Sequence, residues 1–235
     1  MIQEIAKMID HSILHPTHTF TDLKEGCKVA EKYNVASICV KSYMVADAKK
    51  LLAHTDVKIC CVIGFPAGNS SIETKVFETE NVCKDGAEEV DMVINIAKAL
   101  EGDWAYVEKE ISSITEACHK NNATIKVIFE TDYISEEKTL KKLCEICTEA
   151  KVDYVKTSTG FGFSKNSDGN YNYIGATIPH LQLMKNAIGP NVKVKASGGI
   201  RTLEQLLKAK EAGANRVGAT ATETIMKEAE KKYKN

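Results

Sequence analysis

Hydrophobic and polar positions follow two alternating patterns along almost the whole chain. Short runs rich in Val, Ile and Cys, typical of buried strands, are separated by amphipathic stretches with helical spacing. The predicted strands cover 9–14, 36–40, 58–65, 88–95, 124–131, 152–159, 192–199 and 216–220. After a short N-terminal helix, the predicted helices cover 21–34, 45–53, 72–86, 104–121, 135–151, 178–188, 202–213 and 222–234. This alternation, repeated eight times, predicts an α/β fold, a (β/α)8 TIM barrel.

Residues at the ends of the predicted elements agree with this pattern. Thr21, Ser135 and Thr202 are predicted to cap helices at their N-termini, and Gly86 and Gly213 to end them. No linker interrupts the 235 residues, so we expect a single barrel domain. An open doubly wound sheet is the alternative, but no glycine-rich nucleotide-binding motif follows any predicted strand.

Composition narrows the classes of function. With 43% hydrophobic and 27% charged residues, the chain can form a sizeable core. The formal net charge is −1 and no basic cluster stands apart from acidic residues. This argues against nucleic-acid or anionic-membrane partners, but it leaves room for a small anionic ligand.

The N-terminus and the cysteines indicate the compartment. The opening MIQEIAKMIDHSIL lacks the features of a signal peptide, and the eight cysteines are spread through predicted strands and helices. We therefore expect reduced thiols in a cytoplasmic protein. Cys144 and Cys147 form a CxxC pair inside an amphipathic helix, where packing is favoured over metal binding.

Four predicted strands carry a charged residue in an apolar middle. These residues are Asp91, Lys126, Lys156 and Lys195. Side chains alternate along a strand, so the four are predicted to converge on the interior of the barrel. Burial and a neighbouring cation would both lower the pKa of Lys156, while Asp91 could hold one lysine charged and relay a proton. An amine that is neutral near pH 7 attacks carbonyls, which indicates Schiff-base chemistry.

A structural alternative exists for the same four residues. They could form a buried ion-pair network in the barrel core, since such networks also perturb pKa values. That network would hold one lysine more than it has carboxylates, unless Glu130 completes the set.

Small residues follow the last two strands. Ser197-Gly198-Gly199-Ile200-Arg201 and Gly218-Ala219-Thr220 lie where barrels commonly bind phosphate, and Gly160 would complete the cup. Glycines let backbone N–H groups approach an anion, and the dipole of a following helix attracts it. The alternative is a tight Gly-Gly turn with Arg201 on the surface.

Other candidates carry weaker signals. His11 and His15 flank the first strand and are interpreted as loop or rim residues rather than ligands, and no spaced Asp/His pair indicates a metal. Cys39 is interpreted as a small buried hydrophobic residue.

Five segments resemble a known family in order and over nearly the whole chain. VDYVKTSTGFG, VKASGGIRT, EEVDMVIN, CVIGFPAG and IDHSILHPT are similar to segments of the deoxyribose-phosphate aldolases, a class I Schiff-base family. The resemblance implies reversible cleavage of 2-deoxy-D-ribose 5-phosphate to acetaldehyde and D-glyceraldehyde 3-phosphate, without metal or organic cofactor. It also implies small sugar-phosphate and aldehyde partners, and dimers occur among such proteins.

The resemblance implies a role for each matching residue. Lys156 corresponds to the Schiff-base lysine, Lys195 to the second lysine that depresses the pKa of the first, Asp91 to the proton-relay aspartate and Lys126 to a supporting lysine. The residues matched to substrate binding are Asp10, Ser12 and Thr159. Those matched to the phosphate cup are Gly160, Gly198, Gly199, Arg201, Gly218 and Thr220.

Some positions depart from the family pattern. Thr220-Ala221 stands where two small residues, often serines, are usual, and Lys41-Ser42 replaces a common Asn-Pro type of dipeptide. His15 occupies a position that is often lysine. Residues 164–175 lengthen the loop after the sixth strand, and their Gly, Asn and Ser content predicts a flexible rim that could act as a lid. Tyr233 is expected to belong to the closing helix rather than to the site.

Three other functions fit parts of the pattern. A Schiff-base aldolase could take a different donor, such as a ketose phosphate. Phosphosugar isomerases and epimerases use similar barrels with acid–base carboxylates, but they need no buried lysine on the sixth strand. A barrel that binds a sugar phosphate as a sensor would show stabilisation by ligand without turnover.

Overall fold

A closed barrel of eight parallel strands forms the centre of the molecule. The computed structural model describes residues 1–165 and 168–234. The barrel strands are β1 (Ile9–Ile13), β2 (Ser37–Val40), β3 (Lys58–Ile63), β4 (Glu89–Val93), β5 (Thr124–Ile128), β6 (Tyr154–Lys156), β9 (Lys193–Ser197) and β10 (Arg216–Ala219). Each strand pairs with its neighbours in chain order, and β10 closes the ring by pairing with β1. The TIM-barrel prediction is confirmed, and the open-sheet alternative is wrong.

Helices surround the barrel. They are α1 (Ile2–Ala6), α2 (Phe20–Tyr33), α3 (Val45–Leu51), α4 (Ile72–Lys84), α5 (Ile96–Glu101), α6 (Trp104–Lys120), α7 (Glu137–Glu149), α8 (Ile178–Ala187), α9 (Leu203–Glu211) and α10 (Thr222–Tyr233). The eight predicted long helices are all present, with ends shifted by a few residues. Helix α5 and the 3₁₀ turn Ser42–Met44 were not predicted, because segments this short carry little periodic signal. No described helix is both long and apolar enough to span a bilayer.

Helix capping agrees only partly with the sequence. Thr202 caps α9 in a reciprocal capping box with Gln205, as predicted. Helix α2 instead begins at Thr19, where Asp22 completes the box, so the prediction of Thr21 is wrong. Helix α7 follows Glu136 rather than Ser135 and has no side-chain cap. Gly86 and Gly213 follow α4 and α9 with φ of 111° and 106°, a left-handed conformation that glycine tolerates.

Apolar side chains form two separate clusters. The large cluster lies between the strands and the helices and includes the outward-facing residues of the strands. Cys144 and Cys147 belong to it, as expected for residues with a packing role. A much smaller cluster of Leu14, Cys39, Cys60 and Val62 lies in the other layer. Much of the barrel interior is therefore left to polar and charged residues.

The prediction for His11 is wrong. It lies within β1 rather than in a loop, and its side chain is buried. Its Nδ1 is 2.8 Å from the hydroxyl oxygen of Thr222 in α10. Burial lowers the pKa of His11 to about 4, so the imidazole is neutral and acts as a packed hydrogen-bonding residue.

The long loop after β6 carries its own small hairpin. Strands β7 (Ser164–Lys165) and β8 (Tyr171–Asn172) pair antiparallel. The rings of Phe163 and Tyr171 stack with centroids 4.5 Å apart. Residues 166 and 167 of the predicted rim lie outside the described residues, and a lid function stays a prediction.

Candidate active site

The four charged residues predicted to converge meet around one carboxylate. Oδ2 of Asp91 lies 2.7 Å from Nζ of Lys156 and 2.7 Å from Nζ of Lys195. Oδ1 of the same carboxylate lies 2.8 Å from Nζ of Lys126. Strand register produces this meeting, because Asp91 pairs with Lys126 across β4 and β5, and Lys156 with Lys195 across β6 and β9.

Three further charged residues extend this group into a seven-residue ion cluster. Glu89 accepts from Lys126 at 2.7 Å, Asp10 is paired with Lys195, and Arg216 bridges Asp10 and Glu89. The sequence analysis missed Glu89 and Arg216. Each lies two residues before a flagged position, Asp91 and Gly218, and therefore on the same strand face, which is the signal that could have found them.

Glu130 does not complete the cluster. It follows β5 with a φ of 57° and accepts hydrogen bonds from the backbone and side chain of Thr159. Burial raises the pKa of Glu130 to about 7, despite the hydrogen bonds from Thr159. The idea that Glu130 balances the excess lysine is wrong, and Asp10 and Glu89 take that place.

The carboxylates of the cluster are held ionised. Burial alone would raise the pKa of Asp91, but Lys126, Lys156 and Lys195 hold it well below its ordinary value. Burial would likewise raise the pKa of Asp10, but Lys195, Lys126 and Arg216 lower it to about 2. Both groups are therefore anions throughout the neutral range.

Three of the four cations are held protonated. Burial would lower the pKa of Lys126, Lys195 and Arg216, but nearby carboxylates raise all three above their ordinary values. These three cations match the three carboxyl groups of Asp10, Glu89 and Asp91. Lys156 is the fourth cation, and a charge on it would be in excess in a buried cluster.

Lys156 is also the member of the ion cluster that reaches open space. A cavity of about 260 Å³ lies at the carboxyl ends of the strands, and Lys156 is part of its lining. The other six cluster members are not among the lining residues. Lys126, Lys195, Asp10 and Asp91 are almost completely buried behind it. The cavity is of a size that suits a small organic ligand.

The residues predicted to bind phosphate line this cavity together. Gly198 and Gly199 follow β9 with φ of 91° and 83°, and Gly160 follows β6 with a φ of 80°. Such values are unfavourable for residues with a Cβ, so the cup depends on glycine. The rest of the cup consists of Arg201, Gly218 and Thr220.

The residues predicted to bind substrate separate into two groups. Ser12 and Thr159 line the cavity. Asp10 does not, because its carboxylate is fully buried and bonded to Lys195 and Arg216. Its predicted contact with the substrate is therefore replaced by a contact with a lysine. Tyr233 ends α10 and packs partly buried against the core, away from the cavity lining.

Loop residues supply wall positions that the strand pattern did not predict. His15, His18, Phe161 and Tyr173 line the cavity. His15 is exposed after β1, which confirms its interpretation as a rim residue. Nothing in the strand alternation marks these loop positions, so only the three-dimensional structure reveals them.

Two thiols approach Asp91 from the other side. Sγ of Cys60 donates to Oδ1 of Asp91 at 3.2 Å and accepts from Lys126 at 3.3 Å, and Cys39 lies beside it. The ligand atoms of Cys39, Cys60 and Asp91 lie within 4.8 Å of one another, close enough for a metal site. Burial raises the pKa of Cys60 well above its ordinary value, and its Sγ is already hydrogen-bonded to Asp91 and Lys126. We interpret the group as hydrogen-bonded, and Cys39 is buried as predicted.

Comparison with known proteins places the chain in a family. The profile of DeoC/LacD family aldolases matches residues 4–224. A deoxyribose-phosphate aldolase of Rhodopirellula baltica is 45% identical over 228 residues, which cover 97% of this chain and 90% of that protein.

Solved structures agree with this placement. The aldolase QR15 superposes with a TM-score of 0.88 at 35% identity, covering 97% of each chain. A tetrameric deoxyribose phosphate aldolase from Aeropyrum pernix gives a TM-score of 0.86 at 28% identity, covering 100% of this chain and 94% of that one. The chain belongs to the DeoC/LacD family of aldolases.

Proposed function

We propose that this aldolase reversibly cleaves 2-deoxy-D-ribose 5-phosphate to acetaldehyde and D-glyceraldehyde 3-phosphate through a Schiff base on Lys156. One observation carries the proposal: Lys156 is the lysine of the ion cluster that lines the cavity, and its charge is the one left unmatched. A lysine amine that faces a ligand-sized cavity can attack a carbonyl group bound there and form an iminium.

The covalent steps follow from this amine. Nζ of Lys156 attacks C1 of the open-chain aldehyde to give a carbinolamine, which loses water to form an iminium. The iminium accepts the electron pair of the C2–C3 bond as that bond breaks and the C3 hydroxyl loses its proton. Glyceraldehyde 3-phosphate leaves, and the remaining enamine takes a proton at C2 before hydrolysis releases acetaldehyde and the free lysine.

Asp91 and Lys195 are assigned to the proton transfers. Oδ2 of Asp91 lies 2.7 Å from Nζ of Lys156 and 2.7 Å from Nζ of Lys195, so the two lysines share one carboxylate oxygen. Water reaching from the cavity would connect them to the C3 hydroxyl and to the enamine carbon. Lys126 and Asp10 are assigned as positioning residues, because their contacts are with Asp91 and Lys195 rather than with the cavity.

The glycine cup is assigned to the phosphate. Backbone N–H groups near Gly160, Gly198, Gly199 and Gly218 would approach the anion closely, and Arg201 and Thr220 would add side-chain donors. Ser12 and Thr159 are assigned to the sugar hydroxyls, since both residues line the same cavity as the cup and Lys156. The reaction as proposed needs neither metal nor organic cofactor.

The setting of the enzyme is also a proposal. We propose that residues 1–235 act as one barrel domain, in the cytoplasm and as a homo-oligomer. The absence of a described helix able to span a bilayer is compatible with this. A tetramer is named for the relative from Aeropyrum pernix, and a dimer is our expectation for this chain.

A substrate panel tests the proposed reaction. The purified chain is given 2-deoxyribose 5-phosphate, a ketose bisphosphate or no sugar. Acetaldehyde release is followed with alcohol dehydrogenase and NADH, and the sugar phosphates formed are identified by chromatography. We expect acetaldehyde from deoxyribose phosphate only. Cleavage of the ketose bisphosphate instead, isomerisation without cleavage, or a rise in Tm with ligand but no turnover would contradict the proposal.

A further inference from the structure

The long loop after β6 brings a phenol to the phosphate end of the cavity. Tyr173 directly follows strand β8 and lines the cavity together with Gly199 and Arg201. Its hydroxyl oxygen accepts a hydrogen bond from Nη2 of Arg201 at 3.1 Å. Because the phenol oxygen is the acceptor in that bond, its own proton can be donated to a ligand in the cavity.

Asp132 holds both sides of this hairpin. Its carboxylate accepts from the backbone N–H of Ile174 and from that of Gly175, the latter at 3.0 Å. Its backbone carbonyl accepts from the hydroxyl of Ser164 at 2.9 Å. The first residue of the hairpin, Ser164, and the two residues that follow Tyr173 are therefore tied to one aspartate.

The same segment rests on the phosphate cup. The backbone N–H of Ala176 donates to the carbonyl of Gly198 at 3.1 Å. A Cβ added to Gly175 would collide with that carbonyl, so the two backbones are in direct contact. Tyr173 is thus held at a fixed position beside the glycine turn rather than carried on an unanchored loop.

We propose that Tyr173 is a specificity-determining residue, which together with Arg201 forms a clamp on the phosphate of the substrate. The guanidinium of Arg201 and the hydroxyl of Tyr173 would both donate to the phosphate oxygens, and Asp132 is the positioning residue that holds Tyr173 in place. This inference rests on the proposed function of the same cavity. It assigns the lengthened loop to the recognition of phosphorylated over unphosphorylated sugars.

The hairpin also supplies a matched control. Tyr171 lies two residues earlier and stacks on Phe163, with ring centroids 4.5 Å apart. It is exposed and is not among the residues that line the cavity. Tyr171→Phe therefore removes the same kind of atom, a phenol oxygen, from the same hairpin and leaves Tyr173 and Arg201 unchanged.

The test compares Tyr173→Phe with Tyr171→Phe on two substrates. Because Tyr173→Phe removes a hydrogen bond to a charged group, we expect it to raise KM for 2-deoxyribose 5-phosphate by about tenfold or more, with kcat within about twofold. The kcat/KM for unphosphorylated 2-deoxyribose stays unchanged. Tyr171→Phe changes neither value. The clamp is overturned if Tyr173→Phe has the same KM as the parent, or if its kcat/KM falls equally on both sugars.

Asp132 is tested by loss and rescue. Asp132→Ala removes the acceptor for the Ile174 and Gly175 N–H groups, so KM for the phosphorylated sugar rises as in Tyr173→Phe while kcat/KM for the unphosphorylated sugar is kept. Asp132→Asn retains an acceptor oxygen and restores KM. A merely structural role of Asp132 would lower activity on both sugars and would not produce this difference between the phosphorylated and the unphosphorylated sugar.

Inorganic phosphate separates failure of the clamp from failure of the proposed reaction. Calorimetric titration of the full chain with phosphate should show binding that Tyr173→Phe weakens about tenfold and Tyr171→Phe leaves unchanged. If this difference is found but the parent does not cleave deoxyribose phosphate, the clamp stands and the reaction fails. If the parent cleaves the sugar and Tyr173→Phe leaves both KM and phosphate affinity unaltered, the reaction stands and the clamp fails. A parent that binds no phosphate also overturns the clamp.

Discussion

Lys75 and the lysines of the ion cluster are all buried in this barrel, but their charges are balanced in different ways. Lys75 in α4 is fully buried and makes a one-to-one pair with Glu110 of α6 at 2.7 Å. Its ammonium also donates to the carbonyls of Gly68 at 2.8 Å and Val93 at 2.7 Å, so all three of its protons have acceptors. The ion cluster around Asp91 holds four cations for three carboxyl groups and opens to a cavity.

The direction of the pKa shifts follows this difference. In the pair, burial lowers the pKa of Lys75 and raises that of Glu110, so one opposite charge does not outweigh the loss of water. In the ion cluster, several opposite charges surround each buried group and raise the pKa of Lys126 while lowering that of Asp91. A buried lysine is therefore not in itself a catalytic signature, and the proposed function rests instead on an unmatched charge that faces a cavity.

The largest expected effect comes from removing the unmatched amine. Lys156→Leu should lower kcat by about 10⁴-fold or more, because the proposed covalent step takes place on Lys156. The free energy of unfolding should stay equal or increase, since an excess charge is replaced by an apolar side chain of similar size. Steady-state kinetics and urea unfolding measure the two. Appreciable remaining turnover would show that the nucleophile is elsewhere.

The matched lysine should behave in the opposite way. Lys75→Met leaves the Glu110 carboxylate buried without its cation and should cost about 3–5 kcal/mol in the free energy of unfolding, while kcat of the folded fraction stays within about twofold. Adding Glu110→Gln keeps an acceptor for the Asn95 N–H and should recover most of the stability. A large loss of kcat in the stable double variant would remove the distinction between the two groups.

Removing a matched cation from the ion cluster tests the charge balance itself. Lys195→Met leaves three cations for three carboxyl groups, so no charge of the cluster is in excess. The rate at neutral pH should fall by about 10²–10³-fold. Steady-state measurement of kcat/KM checks this. A rate within tenfold of the parent would mean that the charge balance of the cluster does not matter to the reaction.

The smallest effect concerns Glu130, a buried carboxyl for which no cation lies within salt-bridge distance among the described residues. Its pKa is raised from 4.5 to about 7, so the folded protein binds this proton more tightly than the unfolded chain. The resulting stability is complete below about pH 4.5 and is lost as pH rises through 7. Glu130→Gln should avoid that loss, gaining up to about 3 kcal/mol over the parent by pH 8 but almost nothing at pH 4. Urea unfolding at several pH values measures this. A difference in the free energy of unfolding between variant and parent that does not change with pH would contradict a raised pKa of Glu130.

The same comparison explains what the sequence could predict. Strand periodicity located all eight barrel strands and placed Asp91, Lys126, Lys156 and Lys195 on one face, because alternation on a strand is a local property. Strand periodicity did not identify Glu89 and Arg216. Each is the first residue of its strand and follows a polar residue, so it does not stand out as a charged residue within an apolar run. It also did not flag Lys75, because a lysine in an amphipathic helix resembles any solvated residue.

Loop geometry was beyond the reach of periodicity. Tyr173 reaches the cavity because Asp132, which lies more than forty positions earlier in the chain, binds the backbone at Ile174 and Gly175. Likewise, Asp10 matched a substrate-binding position by resemblance, but its place behind Lys195 depends on the closure of β1 against β10. Such contacts join distant segments and leave no local pattern.

Trapping of the covalent intermediate tests the central claim most directly. The parent protein is incubated with acetaldehyde and sodium borohydride, digested, and examined by peptide mass for an ethyl group on lysine. We predict one adduct, on Lys156, with none on Lys75, Lys126 or Lys195 and none on any of these in Lys156→Leu. An adduct on another lysine, or equal labelling after Lys156→Leu, would contradict the assignment of the unmatched amine as the nucleophile.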